Sequence, residues 1–106
     1  MRRFSAQELR DYLAQTTPPP LLVDVREPWE YEYCHIEGSQ LVPMGQIPVV
    51  HEELDPEREI VVICHHGIRS RQVAHYLEHV GFTRVINLEG GIDAWAREVD
   101  PNIRLY

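Results

Sequence analysis

One stretch near the middle of the chain, residues 60–74, constrains the fold more than any other. It begins with four apolar β-branched residues, Ile60–Ile63, and continues through Cys64 into a short glycine-containing loop. An uninterrupted run of this kind is typical of a strand buried on both faces, as in a parallel sheet. Apolar residues then recur at helical spacing, namely Val73, Ala74, Leu77 and Val80. This stripe predicts a core-facing helix over residues 69–80.

The rest of the chain alternates helical and extended patterns. A capping box formed by Ser5 and Glu8 predicts the start of a first helix, which the prolines at 18–20 end. Pro28 suits the first position of a second helix, and Gly90 precedes a last one. Apolar strands are predicted at residues 21–25, 41–43, 59–63 and 84–88. Between these, residues 46–54 are interpreted as one or two irregular helical turns.

Strands that alternate with helices favour an α/β fold. The prediction is a small parallel β-sheet of about five strands, flanked by helices on both faces, in one domain over residues 1–106. In such sheets ligands bind at the carboxyl ends of the strands. Asp24, Arg26 and Cys64 all fall at predicted strand ends. We therefore expect an acid, a guanidinium and a thiol at the same edge of the sheet.

The composition limits the partners and the cellular location. Seventeen acidic residues against ten lysines and arginines give a net charge of -7, which argues against binding to nucleic acid or to an anionic membrane surface. Two cysteines are too few for a disulfide framework and predict a reducing compartment, the cytoplasm. No apolar segment precedes the first helix, so neither an ordinary signal peptide nor a membrane span is expected.

Cys64 is the candidate nucleophile. It lies between the predicted buried strand and the first turn of a helix, where unpaired amides and the helix dipole favour a thiolate. A buried, inert cysteine is the alternative, because free cysteines are often buried. The neighbouring Gly67 and Arg69 favour the reactive interpretation.

Three stretches together resemble the single-domain rhodaneses, a family of sulfurtransferases. Residues 23–27 with Glu30 resemble the first motif of the family, residues 64–70 resemble its active-site loop, and residues 88–92 with Trp95 resemble its closing motif. The order and separation of the three motifs also agree. The resemblance therefore covers nearly the whole chain.

This resemblance implies a persulfide mechanism. The Cys64 thiolate would take the sulfane sulfur from thiosulfate or a similar donor, release sulfite, and pass the sulfur to a thiophilic acceptor. The loop would bind the donor and stabilise the anionic sulfur through its amides, in a cup formed by His65, His66, Gly67, Ile68, Arg69 and Ser70. No cofactor is implied. The expected partners are a small-molecule donor and acceptor, with a protein as an alternative acceptor.

Several side chains near the loop keep two interpretations. Arg69 could bind the anionic end of the donor, or it could pair with a carboxylate such as Asp24. Asp24 and Arg26 could assist the site, or they could form a buried pair that fixes the loop. The rings of His65 and His66 are interpreted as solvated. Metal binding is not expected, because adjacent residues point in different directions.

Cys34 departs from the pattern of the family, in which glycine is usual at this position. The substitution adds a second thiol and makes the local turn unusual. A helix of about seven residues from Pro28 would carry Cys34 roughly 10 Å from the active edge. A buried structural thiol is therefore favoured over a second reactive cysteine.

Two other functions stay open. The signature of the cysteine phosphatases has five residues between its cysteine and arginine and a histidine before the cysteine, whereas four residues separate Cys64 from Arg69 and Ile63 precedes. The shorter loop makes a smaller cup, which suits a single sulfur better than a phosphate.

A non-catalytic module of the rhodanese family would be expected to lack the cysteine. A persulfide carrier acting with a protein partner is not distinguished from an enzyme by the sequence.

Overall fold

A computed structural model describes residues 1–106, and its centre is one sheet of five parallel strands. The strands are β1 (Arg2–Phe4), β2 (Leu21–Asp24), β3 (Gln40–Leu41), β4 (Ile60–Ile63) and β5 (Val85–Leu88). They lie in the order β1-β5-β4-β2-β3, and every neighbouring pair is parallel. The helices are α1 (Ala6–Gln15), α2 (Pro28–Tyr33), α3 (Ile47–Val50), α4 (Ile68–His79) and α5 (Gly91–Glu98).

The central strand β4 is buried on both of its faces. Ile60 and Val62 pack in a core that includes residues of α3 and α4, while Val61 and Ile63 pack in a second core with residues of α1 and α5. All four side chains are fully buried. Helices thus cover both faces of the sheet, and the predicted fold class is confirmed.

The residues predicted to begin α1 and to end α4 form the expected hydrogen bonds. Ser5 Oγ accepts the amide of Glu8 at 3.1 Å, and the Glu8 carboxylate accepts the amide of Ser5 at 2.8 Å. At the end of α4, Gly81 has a φ of +109° and the amide of Phe82 donates to the carbonyl of Leu77 at 2.9 Å. Phe82 and Leu77 are buried in the same core, so this hydrophobic helix stop forms as the sequence predicts.

Two strands differ from the sequence prediction. The four predicted strands are β2 to β5, and the fifth strand of the sheet is β1, which pairs with β5 through Phe4 and Leu88. Its three residues include two arginines and carry no clear alternation, so β1 gives no pattern to recognise. Strand β3 contains only Gln40–Leu41, shorter and earlier than predicted. The irregular turns predicted around α3 are present as two short 3-10 segments, Met44–Gln46 and His51–Glu53.

The parallel arrangement brings the carboxyl ends of β2, β4 and β5 to one edge of the sheet. Asp24 ends β2, Cys64 follows β4, and Glu89 follows β5. The polar side chains singled out above therefore share an edge. No helix combines the length and the apolar character that crossing a membrane requires.

Candidate active site

Cys64 lies directly after β4, and its sulfur is enclosed by the turn that leads into α4. The residue is 1% exposed. Its Sγ accepts the amide of Gly67 at 3.1 Å and the amide of Ser70 at 3.3 Å, and the Ser70 hydroxyl oxygen is 3.3 Å away. Three polar groups therefore converge on one sulfur atom. Amides aimed in this way stabilise a thiolate or an anionic persulfide.

Fewer loop amides bind the sulfur of Cys64 than the sequence predicts. The sulfur accepts the amides of Gly67 and Ser70, but none of the amides of His65, His66, Ile68 and Arg69 is bonded to it. Ile68 begins α4 with its side chain two-thirds exposed. The loop thus offers two amides and one hydroxyl to the sulfur, and it turns other side chains outward.

Gly67 makes the turn because of its backbone conformation and its neighbours. Its φ is +95°, in the left-handed region that glycine occupies at little cost. A Cβ there would lie 3.1 Å from the amide nitrogen of Gly90 and 3.2 Å from the carbonyl oxygen of Leu88. The conformation and the close approach both favour glycine, and together they aim the Gly67 amide at the sulfur.

The start of α5 supports the other side of the loop. The amide of Ile92 donates to the carbonyl of Cys64 at 2.9 Å, and the amide of Asp93 donates to the carbonyl of His65 at 3.0 Å. A Cβ on Gly91 would lie 2.4 Å from each of these carbonyl oxygens. The loop carbonyls are therefore paired with free amides of a helix N-terminus.

Asn87 is a supporting residue that the sequence analysis missed. Its side-chain amide donates to the carbonyl of Gly67 at 3.3 Å and to Glu89 at 2.7 Å. Its Oδ1 is buried and has no hydrogen-bond partner. The signal available in the sequence was a polar residue within the otherwise apolar strand β5. A buried oxygen without a hydrogen-bond partner destabilises the fold, so Asn87 needs another reason to occupy this position. Its hydrogen bond to the carbonyl of Gly67 indicates that it positions the loop.

Arg69 pairs with Glu30, so the suggested pairing with Asp24 is wrong. The two guanidinium nitrogens Nη1 and Nη2 lie 2.7 and 2.9 Å from the two oxygens of Glu30. This ion pair lowers the pKa of Glu30 to about 2, chiefly through the bond from Arg69 and against the effect of burial. Asp24 is a candidate because it ends a strand at the same edge of the sheet, but its carboxylate already binds Arg26.

The buried pair of Asp24 and Arg26 is structural, and neither side chain forms a hydrogen bond to the sulfur of Cys64. Both side chains are fully buried, and Arg26 Nε and Nη2 bond to the Asp24 carboxylate at 2.9 and 2.7 Å. Arg26 also donates to the carbonyl of Cys34 at 2.6 Å and to the hydroxyl of Tyr106 at 3.0 Å. Burial acts to lower the pKa of Arg26, but these hydrogen bonds outweigh it and raise that pKa. The contacts match the second of the two interpretations, a buried pair.

Tyr106 connects these charged groups and was not anticipated. Its hydroxyl donates to Glu30 at 2.6 Å while accepting from Arg26. Burial, aided by the bond to Glu30, raises the pKa of Tyr106 to about 12. Its ring stacks on that of His65, with 4.1 Å between centroids. One aromatic side chain therefore links the Glu30–Arg69 pair to the loop that carries Cys64.

Cys34 is placed as a structural thiol would be. It is buried in the core on the α1 and α5 face of the sheet, whereas Cys64 belongs to the core on the α4 face. Both cysteines are free. Cys34 has a φ of -163°, an extended conformation open to any residue, so its replacement of a glycine introduces no strain.

Comparisons with known proteins agree with this geometry. Residues 5–98 match the Rhodanese-like domain family. The chain is 39% identical over 101 residues to a sulfurtransferase of Allochromatium vinosum, an alignment covering 95% of this chain and 94% of that one. It is 42% identical over 89 residues to the chloroplastic Rhodanese-like/PpiC domain-containing protein 12 of Arabidopsis thaliana, covering 80% of this chain but only 30% of that longer protein.

A solved structure of a similar protein has the same fold. The crystal structure of a rhodanese-like domain protein from Staphylococcus aureus superposes with a TM-score of 0.85 at 30% identity, covering 100% of this chain and 99% of that one. The family match covers most of the chain and includes the strand–loop–helix unit around Cys64. The chain therefore belongs to the rhodanese-like family of sulfurtransferases.

Proposed function

We propose that this chain transfers a sulfane sulfur from thiosulfate, or from a donor of the same type, through a persulfide on Cys64. The observation that carries the proposal is the convergence of the Gly67 and Ser70 amides and the Ser70 hydroxyl on Cys64 Sγ. These groups stabilise negative charge at the sulfur both before and after it gains a second sulfur atom.

The first half-reaction balances as a displacement at sulfur. The Cys64 thiolate attacks the outer sulfur of thiosulfate, a new S–S bond forms, and the bond to the sulfonate sulfur breaks with its electron pair on departing sulfite. In the second half-reaction a thiolate or another thiophile attacks the outer sulfur of the persulfide. The electron pair of the broken bond returns to Cys64, which regenerates the thiolate.

Arg69 supports donor binding as a secondary role. Its guanidinium is committed to Glu30 but remains 37% exposed, and Arg69 lies in the first turn of α4, directly after the loop that carries Cys64. The anionic donor approaches a protein of net charge -7, so a local positive group favours its entry. Arg69 is therefore proposed both to hold the loop and to attract the donor.

The acceptor is the less constrained partner. None of the three surface cavities is lined by Cys64 or by residues 65–71, and Cys64 is 1% exposed. Ile68 and Trp29 are exposed near this edge, at 66% and 60%. We therefore propose that the acceptor approaches from the protein surface, either as a small thiol or as a cysteine presented by a protein. A persulfide carrier is thus the second candidate, and a cytoplasmic location stays a prediction.

Intact mass after incubation with thiosulfate tests the proposal. We expect a gain of one sulfur, about 32 Da, that a thiol reverses and that Cys64→Ala abolishes. Cys34→Ala is the matched control and should gain the same mass, because that thiol lies in the core on the other face of the sheet, away from the amides of Gly67 and Ser70. An adduct that persists in Cys64→Ala, or no adduct in the unaltered protein, would contradict the proposal. Sulfite release measured in parallel identifies thiosulfate as the donor.

A further inference from the structure

A second group of chemically active side chains lies beside the cup. His65, His66 and Asp93 each offer one ligand atom, and these three atoms lie within 4.8 Å of one another. His66 is exposed, and His65 and Asp93 are partly exposed. The set comprises two imidazole nitrogens and one carboxylate oxygen, which is a donor set typical of first-row divalent transition ions.

The rings of His65 and His66 do not diverge, so the expectation that these adjacent residues point in different directions is wrong. Their rings stack with 4.0 Å between centroids and 22° between planes. The ring of Tyr106 covers the other face of His65 at 4.1 Å. Stacking between His66 and Tyr106 restricts the His65 ring, and one nitrogen of each imidazole lies within 4.8 Å of the other and of an Asp93 oxygen.

The backbone holds the third side chain against this pair. The amide of Asp93 donates to the carbonyl of His65 at 3.0 Å, which ties the start of α5 to the loop. Gly91 permits the close approach, as described above. This main-chain hydrogen bond therefore fixes the backbones of His65 and Asp93 relative to each other.

One oxygen of Asp93 has no side-chain partner. Arg97 Nε donates to Asp93 Oδ2 at 3.0 Å, and no side chain donates to Oδ1. That oxygen therefore remains available as a ligand beside the two imidazoles.

We propose that His65, His66 and Asp93 form a binding site for a first-row divalent transition ion of the zinc type, with water in the remaining positions. A metal at about 2.1 Å from each ligand needs donor atoms roughly 3–3.5 Å apart. The cluster must therefore contract, and rotation of the exposed His66 ring supplies that change. The proposal stands on this geometry and does not depend on sulfur transfer.

Zinc binding to the untagged protein, measured by competition with a chromophoric chelator, tests the site. We expect one Zn²⁺ per chain, and we expect His66→Gln and Asp93→Asn each to weaken binding by about tenfold or more. Nitrogen-15 NMR of the imidazoles should show shifts at His65 and His66 on addition of Zn²⁺. Both substituted positions are solvent-accessible, and circular dichroism checks that the variants fold.

Two rival sites on the chain provide matched controls. His75 and His79 are exposed and one turn apart on α4, so they could chelate an ion by themselves. The double variant His75→Gln with His79→Gln should keep the affinity, as should Cys64→Ser. Loss of binding in either control, unchanged binding in Asp93→Asn, or no binding to the unaltered protein would overturn the proposal.

Discussion

At the scale of single residues, the site depends on a few short contacts to one sulfur atom. The hydroxyl of Ser70 is the only one of the three groups around Cys64 Sγ that comes from a side chain, so it can be removed without changing the backbone. Its neighbour in space, the Gly67 amide, stays in place. The contribution of a single contact to thiolate reactivity can therefore be measured separately.

We predict that Ser70→Ala slows alkylation of Cys64 by iodoacetamide at neutral pH by about tenfold, because a hydrogen bond to a charged group contributes roughly 1.5–3 kcal/mol. Ser39→Ala is the matched control, since that hydroxyl is also buried but bonds to the carbonyl of Ile36, away from the sulfur. Equal rates for Ser70→Ala and the unaltered protein would show that the hydroxyl does not stabilise the thiolate.

At the scale of elements, α2 and α5 hold the loop that carries Cys64 from two sides. On the α2 side, the carboxylate of Glu30 accepts hydrogen bonds from both Arg69 and the hydroxyl of Tyr106. Its folded-state pKa of about 2 lies below the ordinary 4.5. A carboxyl with a depressed pKa stabilises the fold above its ordinary pKa, and this contribution is lost as the pH falls from about 4.5 toward 2.

Glu30→Gln should lower the free energy of unfolding at pH 7 by about 2 kcal/mol, a figure reduced from the full pKa shift because Arg69 is partly exposed. Urea unfolding at pH 7 and pH 3 checks the sign. The gap between variant and unaltered protein should narrow at pH 3, where Glu30 is largely protonated in the unfolded state but still largely ionised in the folded state. A gap that widens at pH 3 would contradict the assignment of this carboxyl.

The contact from α5 depends on Gly91. Gly91→Ala should lower stability by about 2 kcal/mol or more, because it combines a positive φ with a Cβ placed against two carbonyl oxygens. Gly45→Ala is the matched control. A Cβ there meets nothing within 4 Å and its φ is not positive, so thermal unfolding should change little. Comparable melting temperatures for the two variants would show that α5 can shift without cost.

At the scale of the whole molecule, the sheet order places β1 at an edge, paired with β5 alone. The carbonyl of Phe4 accepts the amide of Glu89 at 2.8 Å, and the ring of Phe4 packs edge-on against Tyr12. Strand β4 is separated from β1 by β5. Changes at the edge should therefore affect β5 before they reach the strand that carries Cys64.

Removal of residues 1–4 should lower the free energy of unfolding by about 2 kcal/mol or more, because it removes the partly buried side chains of Met1 and Phe4, the ladder bonds of β1 and the ion pair between the amino group of Met1 and Glu78. Amide hydrogen exchange should accelerate at Glu89, which loses its acceptor, while the amides of β4 stay protected. Uniform loss of protection across the sheet would show that the edge strand is required for the whole core.

The parts of this architecture that the sequence predicted are those coded locally. Strand β4, the loop and α4 follow from a run of β-branched residues, one glycine and a helical stripe within about twenty positions. The pairing of Arg69 with Glu30 spans 39 positions and that of Arg26 with Tyr106 spans 80. With seventeen acidic residues in the chain, no spacing rule selects the right partner. Such pairs are decided by packing, and so is the edge pairing of β1.

The main chain supplies two of the three contacts to the sulfur, while the side chains of His66 and Ile68 point outward. In the proposed sulfur transfer, the groups that stabilise the sulfur and the groups that face an acceptor therefore belong to different parts of the same short loop. A substitution at Ile68 alters what the loop presents to an incoming molecule but leaves the donors around Cys64 intact. We therefore expect that exchange of outward side chains changes the acceptor while the groups around Cys64 stay the same.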